Sequence, residues 1–437
     1  MTSTAARRTR ALLAASQGRS GRRVQWGLVD QAISSLTNFF ITLLVARQSG
    51  ARAFGTFSLG LTLYVFLLWV SRSLVTDPFV VRVSGAAAHV QRRSAAHATG
   101  AALTVGLLAA PLVAIVGFLA ERGAPLIIGA FALAIPFLLT QDALRYVLFA
   151  AGRARAAAIN DLVWLLVQVV SIAASFLVQD SPRASTLVGS FGVGAAVAAL
   201  YGCRQTGVVP SPRSAWLWIY GHRDLGIPFV TELIAVTGTV QIALLAVGTV
   251  AGIVALGELR AAMLLMGPLT VLFLGVFVVT TPEAVRLVKR SPEALSRLVI
   301  GLGTVMLTTT VVWALAIQLV PDEIGARILG ANWGSGRRLL LPVAALIAGN
   351  SCALAAVVGL RALGAARASL GARLWGAPVV LIGGIVGARI GGPYGAAVGL
   401  AMASWVDVVL AGTAFRRALS QYDGSSNPAD VTPPLTA

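Results

Sequence analysis

Twelve runs of roughly twenty apolar residues divide this 437-residue chain. They lie at 27–46, 54–75, 97–120, 124–141, 158–178, 185–203, 227–249, 260–280, 298–320, 338–360, 371–389 and 394–415. About 20 apolar residues make a helix long enough to cross the hydrocarbon core of a bilayer. The separators between the third and fourth runs, and between the seventh and eighth, are short, so the pattern predicts eleven to thirteen spans. Each run is continuous, whereas a transmembrane barrel would alternate apolar and polar residues in segments of about ten. The expected fold is an all-α integral membrane protein with about twelve transmembrane helices.

Glycine, proline and acidic residues recur in order across these runs. Gly50 and Gly55 reappear as Gly252 and Gly257, 202 positions later, and the same shift carries Asp30 onto Glu232. At a shift of 204, Thr76-Asp77-Pro78 with Arg82 matches Thr280-Thr281-Pro282 with Arg286. One repeat of an even number of spans gives two lobes inserted with the same orientation and related by a pseudo-two-fold axis along the membrane normal. The expected organisation is a basic tail at 1–26, a six-helix lobe at 27–205, an interfacial linker at 206–226, a second six-helix lobe at 227–418 and a disordered tail at 419–437. Pro78 and Pro282 are expected to end the second and eighth helices at equivalent points. The glycines after the first and seventh spans suit tight turns and close packing.

Charge adds orientation. The chain carries 34 basic and 16 acidic residues, a net charge of +18, yet only 11% of its residues are charged and 57% are hydrophobic. A soluble domain carries about 25% charged residues. With an internal N-terminus, 25 of the 34 basic residues fall on the inner side and nine on the outer. This bias predicts that both termini face the cytoplasm and places the protein in the cytoplasmic membrane as a multi-pass chain. It also accounts for the high positive charge without nucleic acid as a partner. The first run is span-length, contains Asp30 and Asn38, and reads as an uncleaved helix rather than a signal peptide. The arginines before it suit contact with anionic membrane lipids.

The loops leave little room for catalysis. Lys289 is the sole lysine, no phosphate-binding Gly-rich loop ending in Lys-Ser/Thr occurs, and no zinc-binding spacing is found. Cys203 and Cys352 lie at different depths and predict no disulfide. No catalytic residue, metal or cofactor is expected, and the chain does not read as an enzyme. Residues 141–156 suit an amphipathic helix at the cytoplasmic interface, and Trp216, Trp218 and Tyr220 mark a second one.

Polar residues inside spans are the candidate site, because a charge at mid-bilayer costs about 2.5–3.5 kcal/mol on insertion scales. Asp30, Asp161 and Glu232 lie near the inner ends of their helices, and Asp407 lies deeper. Three readings fit these acids. They pair with arginines from the elbows, Asp30 and Glu232 face a cavity and bind a driving proton or Na⁺, or the acids sit at the lipid interface. Arg47, Arg72, Arg145 and Arg260 are the candidate substrate ligands, since guanidinium is a planar fork suited to phosphate. Arg47 and Arg260 fall on the outer side, where the positive-inside bias disfavours them.

Several segments together resemble a known group. Arg47-Gln48-Ser49-Gly50-Ala51-Arg52-Ala53-Phe54-Gly55 with Leu59, the elbow Gln141-Asp142-Ala143-Leu144-Arg145 through Gly152-Arg153, and Gly391-Gly392-Pro393-Tyr394-Gly395-Ala396-Ala397 are similar to polysaccharide-type flippases. These belong to the multidrug/oligosaccharidyl-lipid/polysaccharide (MOP) exporter superfamily. The resemblance covers about 27–418. It implies two six-helix bundles around a central cavity and export of a lipid-linked saccharide by alternating access, with polysaccharide assembly enzymes as partners. An ion-coupled, drug-type antiporter is the alternative. A membrane-embedded glycosyltransferase or polymerase is a third reading, disfavoured because the outer loop at 321–337 offers only Asp322 and Glu323 as acids.

Overall fold

The computed structural model describes residues 25–27, 29–84, 86–120, 125–234, 238–288 and 291–422. The basic and C-terminal tails predicted above lie almost wholly outside the described residues. The described elements are all helices, as lipid requires, because only internally bonded backbone survives where no water is present. Hydroxyls inside the spans follow the same rule. Thr37, Ser58, Thr99, Thr140 and Thr310 each donate to the carbonyl four residues earlier, at 2.7–2.9 Å.

The chain runs through α1 (Gln25–Gln48), α2 (Ala51–Ser71), α3 (Asp77–Val83), α4 (Ala88–Ala120), α5 (Pro125–Ala150), α6 (Ala154–Val178) and α7 (Ala184–Thr206). Next come α8 (Ala215–Gly221), α9 (Arg223–Leu233), α10 (Thr239–Val250), α11 (Ile253–Leu265) and α12 (Gly267–Val288). The last are α13 (Pro292–Gln318), α14 (Asp322–Leu329), α15 (Trp333–Ala362) and α16 (Ala366–Ser420). Among the described residues nine helices are long and apolar enough to cross a membrane, or ten when the bent pair α11–α12 counts as one span. This is a multi-pass membrane protein.

Where the helices differ from the sequence pattern, backbone chemistry explains it. The described residues of the seventh predicted run, 227–249, lie on α9 and α10, with Pro228 inside the first. The eighth is bent by 53° at Met266, where Gly267-Pro268 opens the next helix. Pro78 does not end its helix. The turn before it, Arg72–Thr76, is π-helical, and the chain continues helically to Val83. Pro282 likewise lies within α12, which runs on to Val288. The elbow at 141–156 is not a separate interfacial helix either. Its first ten residues continue α5 straight to Ala150, and Gln141, Asp142 and Arg145 are buried. Leu144 and Leu148, fully buried on that segment, carry the apolar face of α5 past the predicted end. α8 is two-faced: Trp216 and Tyr220 are exposed while Trp218 is buried.

α16 is two helices. At 1.5 Å per residue, its 55 residues would extend far beyond a bilayer. Gly391 and Gly392 leave helical geometry, Gly392 with φ of 57°, and reverse the chain. The two arms then pack through glycine. A side chain on Gly387 would overlap the carbonyl of Gly395, and one on Gly383 would come 2.6 Å from the carbonyl of Gly399. Each arm thus carries two glycines four residues apart, the small-xxx-small spacing that lets membrane helices approach backbone to backbone.

The described residues group into two compact units. One comprises residues through Gln48 with Gly60–Leu233, and the other Ser49–Leu59 with Ile234 onward. In the first, α5 is central: Phe131, Ile135 and Leu138 are fully buried, and α4 and α7 pack on it. In the second, α15 packs against α16, α13 and α11. The first turns of α2 belong to this unit. Gly257 sits so close to Gly55 that a Cβ on it would lie 2.9 Å from the Gly55 Cα. The two matched glycine pairs of the sequence thus meet at Gly55 and Gly257. The Asn332 side chain donates to the Ser49 carbonyl at 2.8 Å in the same unit.

Candidate functional site

Helical spacing assembles an acid–arginine cluster inside the first unit. On α5, Gln141 and Arg145 are four residues apart and share a face, and Asp142 is one step round. On α6, Asn160 and Asp161 face them; Asp30 comes from α1 and Arg72 from the start of the π-helical turn. Arg72 grips Asp142 as a fork, Nε to Oδ2 at 2.9 Å and Nη2 to Oδ1 at 2.7 Å. Its guanidinium also lies over the Trp69 and Tyr146 rings, 5.0 and 5.3 Å from their centroids.

Arg145 is shared. Its Nη1 is 3.3 Å from Asp161 Oδ2 and 3.8 Å from Asp142 Oδ1, while Nε is 3.4 Å from Asp30 Oδ2. The same Nη1 donates to Ser34 Oγ at 3.3 Å. Gln141 donates to Asn160 Oδ1 at 3.0 Å and to Asp161 Oδ1 at 2.8 Å. Asn160 in turn donates to the Ala198 carbonyl and to Gln205, each at 2.9 Å, tying the cluster to α7. The five charged side chains are between 0 and 14% exposed. A charge so far from water persists only when paired and hydrogen-bonded.

The pairing leaves a remainder. Three carboxylates meet two guanidinium groups, an excess of one negative charge when all are ionised. Asp30 Oδ1 accepts no hydrogen bond among the described residues. On α6, Gln168, two turns from Asp161 and buried, makes no side-chain hydrogen bond either. Asp30 is thus the carboxylate of the three with an unfilled acceptor oxygen among the described residues.

The predicted residues separate accordingly. Asp30, Arg72 and Arg145 come together, and both arginines are engaged by carboxylates of the protein. Arg47 is exposed at the end of α1. Arg260, on α11, belongs to the second unit and donates to Gln241 Oε1 on α10 at 3.3 Å. Glu232 is on α9, and its side chain lies outside the described residues. Asp142 and Asn160, absent from the candidate set, are integral to the cluster. The signal for Asp142 was its spacing of three from Arg145 on a helix. The second unit has its own cavity, about 230 Å³, walled by Asn350, Arg373, Ser404 and Asp407. Asp407 Oδ1 accepts no hydrogen bond there among the described residues.

No family model and no curated protein sequence matches the chain. Solved structures do. An inward-facing multidrug resistance MATE family transporter of the MOP superfamily superimposes with a TM-score of 0.68 at 14% identity, over 92% of this chain and 100% of that one. The lipid II flippase MurJ, in an inward closed conformation, gives 0.65 at 11% identity, over 90% of this chain and 89% of that one. The chain has the fold of MOP-superfamily transporters. A MOP superfamily transporter from Pyrococcus furiosus adds a third likeness, 0.52 at 14% identity over 92% and 95%. The likeness bears out the all-helical MOP-type membrane fold that the sequence motifs implied.

Proposed function

We propose that this protein is a membrane transporter that moves a lipid-linked saccharide across the cytoplasmic membrane by alternating access, and that it is not an enzyme. The observation that carries the reading is the fold likeness to lipid II flippase MurJ along nine-tenths of the chain. The loop and elbow motifs resembling polysaccharide-type flippases point the same way. In this reading Arg47 and Arg260 hold the phosphate of the carrier lipid, Asp30 and Glu232 take the driving ion, and polysaccharide assembly enzymes supply the substrate. Drug-type antiport is the second reading, favoured by the likeness to MATE transporters.

Proteoliposomes separate the two. Vesicles loaded with an undecaprenyl-diphosphate oligosaccharide should transfer glycan to the face accessible to an added glycosidase, and ethidium efflux should stay at background. Arg47→Ala and Arg260→Ala should each slow transfer by about tenfold, the loss of one charge-assisted contact. Lys at either position should restore part of it, keeping the charge but not the fork. Ethidium efflux without glycan transfer would replace the flippase reading with antiport.

The arginine bias places both termini in the cytoplasm. Reporters fused at Gln421 and inside 321–337 should then read cytoplasm and exterior respectively. Matching locations would refute the orientation.

A further inference from the structure

Away from the acid–arginine cluster, the first unit has a recess of about 130 Å³ where α3, the start of α4, the ends of α5 and α7 and the residue before α6 come together. Its polar lining is Arg92, Arg153, Gln91 and Thr206, and Phe79 and Val208 contribute to its apolar wall. Two of the polar groups are spent locally. Gln91 donates to the Val83 and Ser84 carbonyls, and Thr206 donates to the Gly202 carbonyl at 2.8 Å. The two guanidinium groups remain, and they converge on one turn. Arg153 donates through Nη1 to the Gln205 carbonyl at 2.8 Å, and Arg92 Nη2 lies 3.9 Å from the Cβ position of Gly207. Neither forms an ion pair with a carboxylate among the described residues, although Arg72, Arg82 and Arg145 of the same unit all do.

The depth of the recess is marked by its neighbours. Phe79 and Val208 belong to the same apolar cluster as Trp218 of α8. That helix turns Trp216, Leu217 and Tyr220 outward, 73, 67 and 55% exposed. Trp216 and Tyr220 stack at 6.1 Å, and Arg223 lies 4.0 Å over the Tyr220 ring. Exposed Trp and Tyr on a membrane protein sit at headgroup level. Arg92 and Arg153, both exposed, line one recess at that level with no carboxylate paired to either among the described residues, an arrangement that suits an anion with several acceptor oxygens.

We propose that Arg92 and Arg153 form a phosphate-binding site on the face that carries α8, separate from the transport cluster. The phosphate belongs to an anionic phospholipid headgroup or to a soluble phosphate, and both present the same oxygens to the guanidinium forks. The site does not depend on the transported substrate.

The test uses the purified full-length protein in detergent. Native mass spectrometry follows retention of phosphatidylglycerol against phosphatidylcholine, and calorimetry follows inorganic phosphate. The variant is Arg92→Gln with Arg153→Gln. Arg93→Gln is the control, exposed like Arg92 and Arg153 but outside the lining. The double variant should bind one of the two phosphate probes about tenfold more weakly than wild type, with Arg93→Gln unchanged. Loss confined to phosphatidylglycerol assigns the site to lipid, and loss confined to inorganic phosphate assigns it to a soluble ligand. Retention of both probes by the double variant overturns the proposal, as does an equal loss in Arg93→Gln. Should loss of the Arg153–Gln205 bond unfold the double variant, Arg92→Gln alone decides by the same readings.

Discussion

Replacing Arg145 with Met should cost this protein about 3–5 kcal/mol of stability and most of its folded yield. The side chain keeps its volume and loses its charge. Asp142 still has the fork of Arg72, at 2.7 and 2.9 Å. Asp30 and Asp161 have no such reserve, because Arg145 is the only cation paired with either among the described residues. Their carboxylates would be stranded in a buried interior, with Gln141 the remaining donor to Asp161 among the described residues. Adding Asp30→Asn and Asp161→Asn to Arg145→Met removes the stranded charges and should recover much of the loss, since neutral groups are far cheaper to bury. Thermal unfolding followed by size-exclusion fluorescence would measure both. An Arg145→Met protein as stable as wild type would mean that water already reaches these carboxylates.

Asp30→Asn alone should do the opposite: leave folding intact and remove coupling. It erases the one excess negative charge of the cluster, so the remaining Asp142 and Asp161 balance Arg72 and Arg145. If Asp30 is where the driving ion resides, transport by this variant should lose its dependence on the proton or Na⁺ gradient. The accumulation driven by the gradient should fall by about tenfold, within the usual range of coupling between two sites. Facilitated, downhill movement should survive. Gradient-driven accumulation at the wild-type level in Asp30→Asn would move the coupling site elsewhere, with Glu232 the next candidate.

How much of this was legible in the sequence depends on the distance over which each interaction acts. Spans are local: continuous apolar runs predicted most of the long helices to within a few residues. Their interruptions were harder to see. The runs at 227–249 and 260–280 read as continuous spans despite Glu232 and Arg260, and the bend at Met266 comes from backbone geometry that hydropathy does not register. The elbow misled for a related reason. Gln141, Asp142 and Arg145 look like residues for an interface, and only partners on other helices make their burial tolerable. Arg145 finds Asp30 across more than a hundred residues of chain, and no spacing rule reaches that far. Arg72 and Arg145 therefore read as candidate ligands in sequence and as held cations in three dimensions. The glycine echo was legible as a repeat, but not as contact between Gly55 and Gly257.

The glycine seam of α16 bears on how the last part of the chain enters the bilayer. Most helix pairs must find the right rotamers before they fit. Here the mating surfaces are backbone, present as soon as each arm is helical, so the fit needs no side-chain rearrangement. Only a short turn crosses to the far side, and Arg389 is the single charge beside it. A chain that stops at Ile390 would have no mate for that surface, and the glycine row at Gly383 and Gly387 would be left facing acyl chains. The final hairpin is therefore a place where a side chain added to either arm is felt by both, at Gly383 against Gly399 and at Gly387 against Gly395.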